Sequence, residues 1–293
     1  MGKKRLFVCC DGTMMNSSGT LDPLSNVARL ARSVDRYGIS KPDESSKAII
    51  DREPLTMAVP QVVYYSAGVG SKSKVPFGLE SIYSGITGKG IENDILEAYC
   101  FLCNNYNFAA LKDEIILVGF SRGAYTVRCL ADFISKFGLL RRKNLTFLND
   151  LFHRWTKGET GTGGNGAQGD HSAVPSEVEN AFFALSLDEK RPLFRPMPYE
   201  GTPPAGTKVK QCAFSGCHKD IGGGNQDAGL STISLLWMIA EIENVCDATF
   251  DREALLQTML PKIQPLSKTG SEKAKSGPQL FNLIMSEGRC KPT

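Results

Sequence analysis

The fold is decided by residues 115–123, which read Ile-Ile-Leu-Val-Gly-Phe-Ser-Arg-Gly. The first four are aliphatic, and a short apolar run between polar segments is typical of a buried strand in a parallel sheet. A helical pattern fills residues 91–106 before this run, and another resumes at Ala124 and ends at Gly138. Helix, strand, tight turn and helix in this order predict an α/β fold. We expect a mostly parallel, doubly wound sheet with helices on both faces.

The rest of the chain extends this alternation. Short apolar or β-branched runs predict three further strands, at Leu6–Cys10, Gln61–Ser66 and Val209–Phe214, and helical spacing predicts helices at Ser25–Asp35 and Leu230–Val245. Polar and glycine-rich composition predicts loops at residues 36–60 and 71–88. We therefore predict one domain over residues 1–250, with an irregular insert at about 156–208 and a loosely attached extension over residues 251–293.

Ser121 lies in a G-x-S-x-G pattern that spans Gly119–Gly123. The pattern is common by chance, but here it joins a strand to a helix, which is the setting of a nucleophile elbow. Glycines at both ends leave room for a sharp turn. The backbone N–H of Arg122 then lies at a helix N-terminus, where it can stabilise an oxyanion. We predict Ser121 as a nucleophile; the alternative is a serine that only caps the helix.

A second polar segment, Asp11-Gly12-Thr13, follows the first predicted strand. A glycine at this point lets backbone N–H groups approach a substrate oxygen closely, so the Gly12 region is a candidate second oxyanion donor. Asp11 is expected to orient this loop by hydrogen bonding rather than to exchange protons. An ordinary Asp-Gly turn is an equally good interpretation of the segment alone.

A third polar segment, His218-Lys219-Asp220, follows the strand at Val209–Phe214 and precedes three glycines. In the chain order of α/β-hydrolases the acid comes after the serine, on a loop that follows a later strand, and Asp220 fits that place. The three glycines suggest a close approach of the backbone to another element. A lone aspartate in a turn is the competing interpretation.

Together the three motifs resemble one α/β-hydrolase family, which occurs in fungi and bacteria and includes the phospholipase effectors of type VI secretion. The resemblance spans residues 4 to about 245 and rests on Cys-Asp-Gly-Thr with Asn16, Gly-Phe-Ser-Arg-Gly-Ala-Tyr-Thr-x-Arg and Gly-Cys-His-x-Asp-Ile-Gly-Gly-Gly. It implies an α/β-hydrolase-like fold and ester hydrolysis, on lipid esters for some members. It further implies Ser121 as nucleophile, Asp220 as acid and Asp11-Gly12-Thr13 as the loop after the first strand. No cofactor is implied, and no ligand-spacing signature predicts a metal site.

A serine nucleophile also needs a base. The chain holds three histidines, His153, His171 and His218, and none of them follows Asp220, where the resemblance implies the base. Without a nearby imidazole the serine hydroxyl stays protonated and is a poor nucleophile. We assign the base provisionally to His218, because in an extended segment a residue two positions from Asp220 points to the same side. Alternatively, His218 only orients the acid loop, in a shortened relative that has lost its base.

These residues predict a serine ester hydrolase that acts on a small-molecule or lipid ester. A hydrolase-fold protein without a working base would instead be a binding or scaffold module. A haloacid-dehalogenase-like phosphatase is a third possibility, since such enzymes also open with a strand and D-x-D-G-T. Here Cys9 takes the place of the first aspartate, so the phosphoryl-accepting carboxylate is missing.

The composition places the chain among ordinary globular proteins. A hydrophobic fraction of 41%, a charged fraction of 22% and a net charge of +3 do not favour a nucleic-acid partner. No apolar run has the length of a membrane span or of the apolar region of a signal peptide. Nine cysteines in scattered, apolar contexts predict reduced thiols and a cytoplasmic location.

Overall fold

The strands lie in two sheets. The computed structural model describes residues 2–13, 15, 23–40, 57–68, 89–108, 112–159 and 171–259. These residues form six strands: β1 (Arg5–Cys10), β2 (Tyr37–Ser40), β3 (Met57–Ser66), β4 (Glu114–Gly119), β5 (Asn180–Ser186) and β6 (Lys208–Phe214). The first sheet has the order β2-β3-β1-β4, in which only β2 is antiparallel to its neighbour. Strands β5 and β6 form a separate parallel pair. The predicted α/β fold with a mostly parallel sheet is thus confirmed.

Helices occupy the connections between the strands. They are α1 (Asn26–Ser33), α2 (Lys89–Asn105), α3 (Arg122–Phe137), α4 (Leu148–Thr156), α5 (His218–Gly222), α6 (Gly229–Val245) and α7 (Arg252–Met259), with 3-10 helices at Arg142–Phe147 and Pro192–Phe194. The four long helical patterns of the sequence correspond to α1, α2, α3 and α6. Ser25 caps α1 by accepting from the Ala28 N–H at 3.0 Å. No helix within the described residues is long and apolar enough to cross a membrane.

Strand β1 is the centre of the core because it is buried on both faces. Its side chains alternate, so Leu6 and Val8 pack with the apolar faces of α2, α3 and α4. Phe7 and Cys9 point the other way and pack with α1, α6 and α7. This arrangement explains why β1 is a continuous apolar run rather than an alternating one. It also places helices on both faces of the sheet, as predicted.

Three segments differ from the sequence-based expectation. The predicted loop at residues 36–60 contains β2 and the start of β3, and the predicted irregular insert at 156–208 contains β5. Both strands depend on pairing with residues far away in the chain, which short-range periodicity does not report. The predicted loose extension begins with α7, whose Leu255 is buried in the core. Residues 71–88, 160–170 and 260–293 lie outside the described ranges, and the domain division stays a prediction.

Candidate active site

The turn between β4 and α3 holds Ser121 in an unusual backbone conformation. Ser121 has φ 56° and ψ −123°, and it is the one residue other than glycine with a positive φ in the described part of the chain. Such a conformation costs a residue with a side chain about 1–3 kcal/mol, so it persists only where the surroundings hold it. Here the Gly123 N–H donates to Phe120 O at 2.8 Å and the Ala124 N–H donates to Ser121 O at 3.0 Å. We call residues 119–123 the elbow.

The two glycines of the elbow are required by space. A Cβ atom on Gly119 would overlap Gly123 O, and a Cβ atom on Gly123 would overlap Cys10 O at the end of β1. Both obstacles are backbone atoms, which cannot rotate out of the way. The chain therefore passes through the elbow in direct contact with the carboxyl end of β1, where the second polar segment begins.

The second segment lies against the elbow and is fixed by a buried carboxylate. Asp11 accepts from the Gly12 N–H at 2.7 Å and, through its other oxygen, from Ser25 Oγ and Tyr65 OH, both at 2.6 Å. Burial raises the pKa of Asp11 above its usual range. A Cβ atom on Gly12 would lie 3.2 Å from Ser121 Cβ, so this glycine is a direct neighbour of the predicted nucleophile.

The hydrogen bonds of this segment change the predicted oxyanion donors. The Gly12 N–H, predicted as a donor, is already engaged by Asp11. The next N–H along, that of Thr13, makes no hydrogen bond with the residues that the structure describes. Thr13 also accepts a hydrogen bond at Oγ1 from Nε of Arg122, which ties the segment to the first residue of α3. Within the described residues, the N–H of Thr13 is therefore the better candidate donor of the two in the predicted Gly12 region.

The third segment is helical where we expected extended chain. Residues 218–222 form α5, a single turn capped by Asp220, which accepts from the Cys217 N–H at 2.8 Å and from Asn225 Nδ2 at 2.8 Å. In a helix, residues two positions apart point in nearly opposite directions. The expectation that His218 and Asp220 share one side was therefore wrong, because the cap drives this segment into a helical turn. No hydrogen bond joins the Asp220 carboxylate to the His218 ring in the described structure.

The His218 ring is nevertheless close to the elbow. It packs on Phe120, with ring centroids 4.7 Å apart, and on Phe194, at 5.2 Å. Its Nε2 is buried and has no hydrogen-bond partner within the described residues. Its backbone N–H donates to Glu189 Oε2 at 3.1 Å. Burial lowers the pKa of His218 to about 4, so the ring is neutral near pH 7 and can accept a proton.

Three consecutive glycines, the last residue of α5 and the two that follow it, bring this segment against the other two. A Cβ atom on Gly222 would overlap the Phe120 ring, and one on Gly224 would overlap the Met15 side chain. Gly223 forms an isolated bridge with Ser25, the same residue that donates to Asp11. Phe120 is thus in contact with all three segments. The one sequence feature that pointed to this role was its position directly before Ser121.

Asp94, on α2, is a second residue that the sequence analysis missed. It accepts from Ser66 Oγ, at the carboxyl end of β3, at 3.3 Å. Burial, reinforced by Glu97, raises its pKa to about 6, and the Arg122 guanidinium opposes this rise. The helical pattern of α2 offered no reason to single it out, because only tertiary packing brings this carboxylate to the edge of the sheet beside Arg122.

The other two histidines lie elsewhere. His153 is on the exposed side of α4. His171 is buried against Tyr125, with centroids 5.5 Å apart, and against Trp155, at 6.2 Å. Tyr125 is in the first turn of α3, directly after the elbow. His171 is therefore a second histidine whose ring contacts a residue near Ser121.

The described ranges offer no metal-binding site. They contain no group of three or more histidine, cysteine or carboxylate side chains that could hold a metal ion. Cys9, which stands where a phosphatase would carry its first aspartate, is fully buried, and burial raises the pKa of its thiol. Asp11 is fixed by its three hydrogen bonds. The residues at the end of β1 therefore do not favour the phosphatase hypothesis.

Comparisons with known proteins identify the family. A family model described as the catalytic domain of type VI secretion (T6SS) phospholipase effectors of the Tle1-like kind matches residues 4–174 and 166–241. A protein of Saccharomyces cerevisiae described as uncharacterised is 27% identical over 149 residues, which are 47% of this chain and 18% of that protein.

Two solved structures are similar at low identity. An uncharacterised protein from Pseudomonas aeruginosa is 15% identical with a TM-score of 0.43, over 99% of this chain and 51% of that one. The Tle1 effector bound to the VgrG spike of the type 6 secretion system is 16% identical with a TM-score of 0.38, over 76% of this chain and 51% of that one. The chain thus spans about half the length of these structures and less of the yeast protein. The family model matches two overlapping stretches of this chain, which together span residues 4–241. Because that match covers most of the sequence, the chain belongs to the family of Tle1-like phospholipase-effector catalytic domains.

Proposed function

We propose that this protein is a serine ester hydrolase of the α/β-hydrolase type, with Ser121 as its nucleophile and a lipid ester as its substrate. The observation that carries the proposal is the positive φ of Ser121 at a strand-to-helix turn. A serine that only capped α3 would not need this strained backbone, and the Ser121 side chain makes no capping hydrogen bond. The strain therefore favours presentation of the hydroxyl over the capping interpretation.

In the proposed reaction Ser121 Oγ attacks the ester carbonyl and its proton passes to a base. The carbonyl oxygen becomes an oxyanion, which the N–H groups of Arg122 and Thr13 stabilise from the N-terminus of α3 and from the loop after β1. The base then gives the proton to the leaving alcohol. A water molecule, deprotonated by the same base, releases the acyl group and restores the serine.

We assign the base to His218 and a positioning role to Asp220. The His218 ring packs on Phe120, the neighbour of Ser121, and its low pKa keeps it neutral. Asp220 holds the backbone at Cys217, from which His218 follows, while Glu189 accepts from the His218 N–H. Two carboxylates thus fix the segment that carries the ring, although neither accepts from the ring itself.

A second candidate function, a binding or scaffold module, is favoured by one observation. The buried Nε2 of His218 has no partner in the described structure, and no carboxylate orients the ring as in a complete triad. Hydrolysis of a soluble short-chain p-nitrophenyl ester by the full chain separates the two candidates. Turnover that disappears in Ser121→Ala supports the hydrolase, whereas equal rates for the two proteins would leave the binding module.

A further inference from the structure

We propose that residues 187–197, the docking segment, bind the surface of an anionic lipid bilayer beside the candidate active site. The proposal deepens the proposed function and rests on it, because it names the form in which a lipid ester would be met. It follows from the apolar side chains of this segment, from its charges and from its position.

The docking segment exposes an unusual amount of apolar surface. Of the ten large apolar side chains that are exposed in the described part of the chain, three lie here: Leu187 at 64%, Leu193 at 46% and Met197 at 52%. Single exposed apolar residues are ordinary on any protein. Three within one short segment, which includes the 3-10 helix at Pro192–Phe194, form a local surface of the kind that enters a membrane interface.

Three of the four exposed charged residues of the segment are basic, and the fourth is Asp188. Lys190 and Arg195 are exposed, next to the apolar side chains. Glu189 is turned inward, with its side chain 2% exposed and paired with Arg191 at 2.7 Å. The Asp188 carboxylate accepts from the Gly216 N–H at 2.6 Å. Exposed apolar groups and an excess of exposed basic groups thus occupy one short segment, which complements the phosphate and acyl layers of an anionic bilayer.

The segment is also coupled to the elbow by packing. Arg191 stacks over the Phe194 ring at 4.0 Å, and Phe194 packs on His218 at 5.2 Å. His218 packs in turn on Phe120, the residue before Ser121. Two consecutive ring contacts therefore connect the docking segment to the residue before Ser121, so a bilayer bound here would bring its ester groups next to the candidate site.

Vesicle sedimentation tests this surface without turnover when the full chain carries Ser121→Ala. We expect binding to mixed phosphatidylcholine and phosphatidylserine vesicles, at least about tenfold weaker binding to phosphatidylcholine alone, and weakening by salt. Lys190→Gln with Arg195→Gln lowers binding to the mixed vesicles by about tenfold or more, since each cation contributes near the surface. Leu193→Ser with Met197→Ser lowers it by a similar factor, because the apolar contact is lost.

Matched variants elsewhere control for charge and hydrophobicity. Lys143→Gln with Lys208→Gln removes the same charge. Lys208 is the first residue of β6 and pairs with the first residue of β5, whereas the docking segment follows the last residue of β5. Ile39→Ser with Met57→Ser removes exposed apolar groups from the β2–β3 ribbon. Both control pairs should change binding by less than about twofold, because salt screens distant charges and an apolar contact acts only where it touches the bilayer.

Several outcomes overturn the proposal. Equal binding to both vesicle types, no binding to either, or control variants as damaging as the docking variants would each do so. A dimer that forms without lipid and is lost in Leu193→Ser with Met197→Ser would show that the segment faces a second copy instead. The proposed function is judged separately, by turnover of a soluble ester by the protein with Ser121 intact. Vesicle binding without such turnover would overturn the proposed function and support the docking surface. Turnover without vesicle binding would support the proposed function and overturn the docking surface.

Discussion

The elbow and the segment around α5 are both flanked by glycines, yet they are held in place by different parts of the protein. At the elbow, Gly123 is pressed against the backbone of Cys10, and Gly119 against the backbone of Gly123 itself. At the end of α5, Gly222 is pressed against a side chain, the ring of Phe120. A backbone atom cannot move aside, whereas a ring can rotate or shift. The predicted nucleophile is therefore fixed by the main chain, and the segment that carries the predicted base and acid is fixed by packing.

The polar side chains of the two regions also differ in how they are held. Ser121 is presented by a strained turn and makes no capping bond, while both oxygens of Asp220 are engaged within its own segment. The ring of His218, the first residue of α5, contacts the rings of Phe120 and Phe194 rather than a carboxylate. This contrast teaches that the two halves of the candidate site are held by different means, so that the geometry of the elbow does not depend on that of the segment around α5.

Gly123→Ala should have the largest effect, because its Cβ atom would overlap backbone on β1. We expect a loss of at least about 3 kcal/mol in the free energy of unfolding, against about 1–3 kcal/mol for Gly222→Ala, where a ring can shift. Gly2→Ala is the control, since Gly2 has no positive φ and no atom lies within 4 Å of an added Cβ. Urea denaturation measures all three. Equal losses for Gly123→Ala and Gly222→Ala would break the comparison.

His218→Phe should lower kcat/KM for a soluble ester by about 100-fold or more, the usual contribution of a general base. Phenylalanine keeps the ring contacts with Phe120 and Phe194, so the fold should survive, and circular dichroism checks this. His153→Phe, on the exposed side of α4, should leave the rate unchanged. If His171→Phe abolishes turnover while His218→Phe does not, the base belongs to the other histidine beside α3.

The pH dependence of stability sharpens the account of His218. Its pKa lies near 6.5 in the unfolded chain and about 4 in the folded protein, where burial outweighs the attraction of Glu189, and Arg191 and Lys219 lower it further. The unfolded state therefore binds more protons in this window, and the contribution of His218 is present above pH 6.5 and lost as the pH falls towards 4.

Between about pH 7 and about pH 4, the free energy of unfolding should fall by about 2 kcal/mol less in His218→Phe than in the wild type. Urea titrations at each pH measure this difference. Asp94 acts in the opposite sense, since its pKa is raised to about 6 and its contribution is lost as the pH rises from 3.8 to 6. It is present in both proteins, so the difference between them isolates His218. Identical pH profiles would mean that the ring is solvated rather than buried.

Asp220→Asn should have the smallest effect of these substitutions. If Asp220 only caps α5, the loss is about 1 kcal/mol of stability, because the amide oxygen can still accept from the Cys217 N–H. The rate should then fall by less than about tenfold, whereas loss of a direct acid partner in a triad costs about 10⁴-fold. Asp227→Asn is a matched control, since Asp227 accepts from the Gly229 N–H at the start of α6.

The sequence was sufficient to predict the structural features that depend on local residue pattern. The apolar run before Gly119, the helical spacing after it and the two elbow glycines together predicted the strand–turn–helix that the structure contains. Local pattern failed where long-range contacts decide. Strands β2 and β5 exist through distant pairing, and the hydrogen bond from the Gly12 N–H to Asp11 depends on a carboxylate buried by Ser25 and Tyr65.

The error at α5 has a different origin. Three glycines after Asp220 indicate loop, but Asp220 accepts from the Cys217 N–H three residues earlier, which is the pattern of a helix N-terminus. The side-chain signal for a helical turn was present in the sequence and was outweighed by the glycines. Phe120 could not have been recognised as the common contact of the three segments, since its partners come from residues 12, 218 and 222.

The most direct test of the central claim, that Ser121 is an activated nucleophile, is labelling of the folded full chain with a fluorophosphonate probe, followed by mapping of the modified peptide. The probe reports an activated serine without requiring knowledge of the substrate. The account predicts label on Ser121, none in Ser121→Ala, and labelling slowed by about 100-fold in His218→Phe. A folded protein in which Ser121 stays unlabelled would contradict it and would leave the binding module as the better description.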